Sequence, residues 1–183
     1  DELQRFNRPY SNPILEDILI EKIKFFNGVS DSEAVSIYEI LVQNLHNPIP
    51  IDGNEKFLER LRDGTTININ GEDRDVKYID FENIWNNDFV VTSQYWVQGF
   101  KLIKTDVVLL VNGIPLVPIE AKQRARKGTN WMEGVKQFST YQQRAAHYWM
   151  TNLFGVACNG RITKYGIPGA SASYFGEWKD TII

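Results

Sequence analysis

Residues Thr105 to Gln123 read T-D-V-V-L-L-V-N-G-I-P-L-V-P-I-E-A-K-Q. Two apolar runs flank Asn112-Gly113, a strong short-range signal for a β-hairpin. Asp106 opens the first run, and Glu120 and Lys122 close the second. Ionised groups at the ends of buried strands cost free energy unless they are paired or hold a metal. Glu120 and Lys122 are two apart, so a strand turns both to one face. Whether Asp106 joins them is a question of parity. A two-residue type I′ turn pairs Val111 with Ile114 and, counting back, Asp106 with Ile119, which leaves Glu120 on the opposite face. An odd offset is needed: either a three-residue loop with a G1 bulge, or a bulge near Pro118, which has no amide hydrogen to give to a ladder. One of these two devices is expected to bring Asp106 opposite Glu120.

Three such groups suit metal-assisted phosphodiester cleavage. Two carboxylates and a backbone carbonyl, that of Ala121, are hard oxygen donors of the kind Mg²⁺ takes. The ion activates a water and neutralises charge growing on the phosphate. Lys122 can orient that water or stabilise the developing charge. Asp106, Glu120 and Lys122 are therefore the candidate catalytic residues, and Asp106, Glu120 and Ala121 the candidate metal ligands. An Asp followed at some distance by Glu-x-Lys is a short pattern that arises by chance in many proteins. No His or Cys cluster and no Ser-His-Asp set competes with it; His46 and His147 stand alone. The phosphate-binding pattern G-x-x-x-x-G-K-[S/T] is absent, so this chain is not itself expected to hydrolyse ATP.

The charge of the chain is unevenly spread. Overall it is −3. Residues 1–100 hold 9 Lys or Arg against 18 Asp or Glu, whereas residues 101–183 hold 11 against 5. The second half thus offers cations for phosphates beside an acid cluster for a metal, or simply a solvated charged face. No run approaches the roughly 20 apolar residues of a membrane span. The single cysteine, Cys158, cannot make an internal disulfide, which suits a reducing cytoplasm. The first residue is Asp1 rather than Met, so the chain is expected to be a fragment of a longer subunit.

The remaining elements read in order. Residues 1–12 are polar and irregular. Pro13 suits a first helical position, and Ile14, Leu15, Ile18, Leu19, Ile23 and Phe26 share a face until Asn27-Gly28. Ser30 or Asp31 caps a second helix, with Glu33 placed for a capping box. Val35, Tyr38, Leu41, Val42 and Leu45 form its stripe, and Pro48 and Pro50 stop it. A third, short helix covers Glu55 to Arg62. Thr65–Asn70 and Asp75–Asp80 read as a hairpin, and Phe89–Val97 as a strong strand. One helix is expected from about Trp131 to Trp149, then strands at Leu153–Cys158 and Ile162–Tyr165. The whole is an α/β (α+β) layer fold: residues 1–64 a helical N-terminal part, residues 65–183 a mixed sheet with at least one crossover helix, together a single domain.

The run D-V-V-L-L-V-N-G-I-P-L-V-P-I-E-A-K resembles the PD-(D/E)xK nuclease core of the restriction (R) subunit of type I restriction–modification enzymes. The resemblance extends to Gln137-Phe-Ser-Thr-Tyr141, a Gln-x-x-x-Tyr motif on the following helix, and loosely to Leu61–Gly64, Tyr78–Phe81, Asn87–Phe89 and Ser93-Gln94. It spans roughly residues 55–165. It implies a restriction-endonuclease-like fold in which Asp106 and Glu120 bind Mg²⁺, Lys122 is the catalytic lysine, and Gln137 and Tyr141 position DNA or support cleavage. Where the family often has Arg before the aspartate, Lys104-Thr105 stands here; Lys104 keeps the charge and loses the guanidinium fork. Lys104, Arg124, Arg126 and Lys127 are candidate DNA-binding residues. The resemblance further implies double-stranded DNA as substrate, modification and specificity subunits as partners, and an ATP-driven translocase elsewhere in the subunit. Two other readings remain open: a repair or resolvase nuclease of the same fold, and a non-catalytic DNA-binding or assembly module.

Overall fold

The structure is a computed structural model and describes residues 8–69, 71–123 and 131–179. Its strands are β1 (Thr65–Ile69), β2 (Glu72–Val76), β3 (Phe89–Gln98), β4 (Leu102–Val111), β5 (Ile114–Ala121), β6 (Gly155–Cys158), β7 (Thr163–Gly166) and β8 (Gly176–Glu177). Among the described residues they form a two-stranded sheet, β1-β2, and a six-stranded sheet in the order β3-β4-β5-β6-β7-β8. All neighbours in the larger sheet are antiparallel except β5 and β6. That parallel pair needs a crossover, and α4 (Trp131–Arg144) with the short α5 (Ala146–Trp149) supplies it. The mixed sheet and its crossover helix are as the sequence pattern implies.

The expected single helix from Trp131 to Trp149 is in fact two. Ala145 leaves the helical region at φ −145°, and the carbonyl of Arg144 accepts the amide of Lys101 at 3.2 Å. A tertiary partner for that carbonyl, not a local breaker, ends α4. The β1-β2 hairpin also differs from expectation. Its second strand begins at Glu72 and ends at Val76, because Lys77 leaves the ladder to place its amide on Asn27 Oδ1 at 2.9 Å.

Three helices precede the sheets: α1 (Glu16–Asn27), α2 (Asp31–Val42) and α3 (Pro50–Asp63). α1 starts three residues after Pro13 and ends at Gly28, φ 60°. α2 is opened by the capping box of Ser30 and Glu33. Its buried stripe is Ala34, Ile37, Tyr38 and Leu41; Val35 lies one position off that stripe and is 40% exposed. Leu45 falls on a 3-10 turn, Gln43–His46. α3 begins earlier than its apolar pattern suggests, with Pro50 in its first turn. The Pro50 ring fixes φ near the helical value, which suits a first helical position, while the preceding helix has already ended at Val42. Leu19, Ile23, Ile37, Leu41 and Phe57 from these helices join Val108, Leu110 and Ile114 of the hairpin in one apolar core.

The β4-β5 turn is itself buried. Asn112 and Gly113 have φ 51° and 81°, as a type I′ turn requires. The amide of Leu15, just before α1, donates to the carbonyl of Gly113 at 2.9 Å. A Cβ on Gly113 would lie 2.6 Å from the Leu15 carbonyl oxygen, so only glycine permits this approach. Asn112, fully buried, uses its whole amide: Nδ2 donates to the Tyr78 carbonyl at 3.0 Å and to Asn87 Oδ1 at 2.8 Å, and Oδ1 accepts the Asp88 amide at 2.8 Å. The turn thereby locks the sheet to the loop preceding β3.

The parity problem is solved by a bulge. Val111 pairs with Ile114 and Leu110 with Pro115; the register then shifts, and Leu109 pairs with Val117, Val108 with Pro118 and Val107 with Ile119. Leu116 is the extra residue. The turn keeps two residues, so of the two expected devices it is the bulge that operates, two positions before Pro118. The carbonyl of Leu116 is not lost to hydrogen bonding, since it accepts the Leu153 amide at 2.8 Å. Carried one step further, the shifted ladder sets Asp106 across from Glu120.

Candidate active site

The hairpin's open end gathers its charged groups. Lys122 Nζ lies 2.8 Å from Glu120 Oε2 and 3.7 Å from Asp106 Oδ2. Asp106 Oδ2 also accepts the amide of Ala121 at 3.0 Å. The Glu-x-Lys end of β5 is steadied by the parallel ladder, with Glu120 level with Ala157 and Ala121 with Cys158. The ladder's last bond runs from the Lys122 amide to the Cys158 carbonyl at 2.9 Å. Burial pushes the Cys158 thiol up, with the nearby Asp106 and Glu120 charges acting in the same direction.

The two acids differ in environment. Glu120 is fully buried, whereas the Asp106 side chain is 30% exposed and that of Lys122 16%. The site therefore opens to solvent on the Asp106 side. Burial pushes the Glu120 carboxyl above its ordinary range, against the lowering effects of Lys122 and Tyr141. A desolvated carboxylate of this kind calls for cationic charge or donated protons.

α4 supplies one such donor. The hydroxyl of Tyr141 donates to Glu120 Oε1 and lies 3.1 Å from the Lys104 carbonyl. Burial and the Glu120 charge push the Tyr141 phenol well up, so it stays protonated as a donor. Behind it Thr105 Oγ1 and the Tyr148 hydroxyl are 3.0 Å apart, and the Tyr148 and Tyr141 rings meet edge to face at 6.1 Å. α4 comes this close because residue 134 is glycine. A Cβ there would be 2.9 Å from Ala157 Cβ and 3.1 Å from Glu120 Cβ. Gly134 was not singled out from the sequence, although a glycine two turns before Tyr141 inside an apolar helical pattern is the signal that marks such a contact.

Of the residues predicted to act here, Asp106, Glu120, Lys122 and Tyr141 converge, and Ala121 joins them through its amide. Gln137 lies one turn before Tyr141, half-buried, with no hydrogen-bond partner among the described residues. The Lys104 side chain is exposed, and its Nζ lies 5.3 Å over the Trp96 ring; its backbone, through the carbonyl, is what faces Tyr141. Arg124, Arg126 and Lys127 lie outside the described residues. Among the described residues no three His, Cys, Asp or Glu side chains group as a metal cluster. Two carboxylates, backbone oxygens and water are the donors this site can offer.

Residues 2–173 match the family model described as the type I restriction enzyme R protein N terminus. The chain belongs to that family. Curated relatives point the same way. The chain is 32% identical over 132 residues to the type I restriction enzyme HindI endonuclease subunit of Haemophilus influenzae, an alignment covering 69% of this chain and 12% of that protein. It is 30% identical over 179 residues to the putative type I restriction enzyme MjaIXP endonuclease subunit of Methanocaldococcus jannaschii, covering 93% of this chain and 17% of the relative. A second M. jannaschii protein, the putative MjaVIIIP endonuclease subunit, is 28% identical over 142 residues, 74% of this chain and 14% of its own length. The chain thus spans less than a fifth of the length of these type I restriction subunits. As an R-protein N terminus it has the α+β architecture described above, and none of its described helices is long and apolar enough to cross a membrane.

Proposed function

We propose that this domain is the Mg²⁺-dependent endonuclease of a type I restriction R subunit, cutting the phosphodiester backbone of double-stranded foreign DNA. The observation that carries the proposal is the reach of one cationic group, Lys122 Nζ, to both Glu120 Oε2 at 2.8 Å and Asp106 Oδ2 at 3.7 Å. Two acids that share one ammonium converge closely enough to share one hydrated dication. Their oxygens, with the carbonyl of Ala121, are the hard donors that Mg²⁺ prefers.

When bound, the ion supplies an activated water and offsets charge on the phosphate. Glu120 and Asp106 hold it. Tyr141 fixes the orientation of Glu120 by donating to Oε1, which keeps the other oxygen turned to the site. Lys122 orients the attacking water or stabilises the charge that develops on the phosphate oxygens. Gln137 and the cations Lys104, Arg124, Arg126 and Lys127 hold the DNA, whose phosphates they meet without reading bases. In the full-length subunit an ATP-driven translocase follows this domain, and modification and specificity subunits complete the complex. Sequence recognition then lies outside the nuclease, and the work is cytoplasmic.

Nicking of supercoiled plasmid by the full complex, with ATP and Mg²⁺, tests this reading. Asp106→Ala is expected to abolish nicking while ATP consumption continues. Wild-type nicking by that variant would sink the proposal.

A further inference from the structure

We propose that Gln94 is a DNA-contacting residue of this site, its carboxamide donating to a phosphate of the strand being cut; the proposal rests on the nuclease reading above. Gln94 lies inside the ten-residue strand β3 with φ 58°. Among the described residues the other non-glycine with positive φ is Asn112, and its turn accounts for it. Nothing comparable accounts for Gln94. A left-handed non-glycine residue in mid-strand is strained, and such strain is held only where the surroundings or the function require it.

Register does not require it. The ladder to β4 pairs Ser93 with Val107 on one side and Tyr95 with Thr105 on the other. The offset is the same on both sides, so no residue has been inserted. This is unlike Leu116, whose bulge moves a register. What the left-handed residue does is interrupt the ladder at one level, and that level is Asp106. The covered face of the sheet changes at that level in both strands: Thr92 and Val108 are buried on one side of it, Tyr95 and Thr105 on the other, while Ser93 and Gln94 are exposed in succession.

The position suits a substrate contact. β3 is an edge strand of the sheet. Its far end is covered by the N-terminal segment, where Arg8 Nη2 donates to the Trp96 carbonyl at 2.6 Å and the Gln98 amide to the Tyr10 carbonyl at 2.8 Å. Gln94 lies just past this covered stretch. Two pairs along, Trp96 stands opposite Lys104, which carries a cation. Gln94, Asp106 and Glu120 thus stand level on three adjacent strands, with Lys104 beside them. A carboxamide at the open end of that row brings two N–H donors and no charge. It can bind a phosphate oxygen next to two carboxylates where a further acid would repel the backbone.

Gln94→Gly suits the positive φ and removes the side chain; Gln94→Asn suits it less well and keeps a shorter carboxamide. Both are made in the full-length R subunit, with Asp106→Ala alongside. Three quantities are read: the thermal midpoint, binding of a fluorescein-labelled duplex across a salt series, and plasmid nicking by the assembled complex. Gln94→Gly is expected to melt no lower than wild type, to bind the duplex up to about tenfold more weakly, the loss of one hydrogen bond, and to nick correspondingly less at low DNA concentration. Gln94→Asn should recover part of the loss. The salt slope should stay unchanged, because a neutral donor displaces no counterion. Wild-type binding and nicking by Gln94→Gly would overturn the proposal, as would a lowered thermal midpoint, which would make Gln94 a structural anchor. If Asp106→Ala still nicks, the nuclease reading falls, and the duplex-binding comparison continues to decide the role of Gln94.

Discussion

The hydroxyl of Tyr141 donates to the carboxylate of Glu120 from a different element of the fold. Helix α4 and strand β5 thus meet through the one acid that is fully buried among the described residues. Tyr141→Phe removes the donor while keeping the ring packed. Cleavage by the full complex is expected to fall about 10- to 100-fold, as for other partners that orient metal ligands. The buried oxygen left without a donor should cost about 1–3 kcal/mol at neutral pH, measurable by urea denaturation.

Glu120→Gln separates stability from activity. Burial holds the Glu120 carboxyl above its ordinary range, so the folded chain binds this proton more tightly than the unfolded chain does. The stability this group contributes is fully present below the unfolded Glu range and is lost as pH rises through the raised value. A neutral Gln carries no such loss. The variant should therefore melt higher than wild type at pH 8 without metal, the gap narrowing toward pH 4. It should not cleave DNA. Adding Mg²⁺ should raise the melting temperature of wild type and leave the variant unmoved. Equal pH profiles for the two proteins would contradict the assigned environment of Glu120.

Asp80 has the opposite sign. Its carboxylate accepts Asn86 Nδ2 at 2.8 Å and the amide of Asn83 at 3.2 Å, and these bonds, with Lys77, hold its pKa down to about 2. The stability it contributes is present above the ordinary Asp range and disappears as pH falls from about 4 toward 2. Asp80→Asn should lower stability near neutrality and flatten the acid limb of a stability–pH curve, the gap to wild type closing as pH falls toward 2. A thermal-melt series between pH 2 and pH 6 checks this.

Asn112→Asp is isosteric yet severe. The Nδ2 group donates to the Tyr78 carbonyl and to Asn87 Oδ1; a carboxylate in its place would set negative oxygen against two acceptors in a fully buried position. The expected cost is about 3 kcal/mol or more at neutral pH, and less in acid, where the new carboxyl protonates. Denaturant midpoints at two pH values measure both. Gly113→Ala should also destabilise, by more than about 1 kcal/mol, since it combines a positive φ with the close Leu15 carbonyl.

The hairpin that carries the candidate site was legible because its constraints are local. Asn112-Gly113 names its own turn type, and parity alone demands an odd offset between Asp106 and Glu120. The spacing of Gln137 and Tyr141 says only that the two share a helix face; that Tyr141 acts at the site was what the family resemblance implied. What was not legible depends on distant partners. Nothing near Ala145 says that Lys101 will take the carbonyl of Arg144 and divide the helix. Nothing near Asn112 says that its side chain will bind Tyr78, Asn87 and Asp88, so a surface turn and a buried hub look alike in sequence. Pro50 shows a third kind of ambiguity, since a proline breaks a helix interior, lacking the amide hydrogen, yet suits a helix start, where that hydrogen has no partner. The left-handed Gln94 has no sequence signal at all, because glutamine rarely adopts that conformation.

The Leu116 bulge has a consequence for how this hairpin can vary among relatives. The strands tolerate a residue gained in the turn if one is lost from the bulge, and the reverse, since either place supplies the odd step. Insertions and deletions between the two acids should therefore come in compensating pairs. A relative with a three-residue turn should have a regular second strand, and one with a regular strand and a two-residue turn should have given up its acid pair.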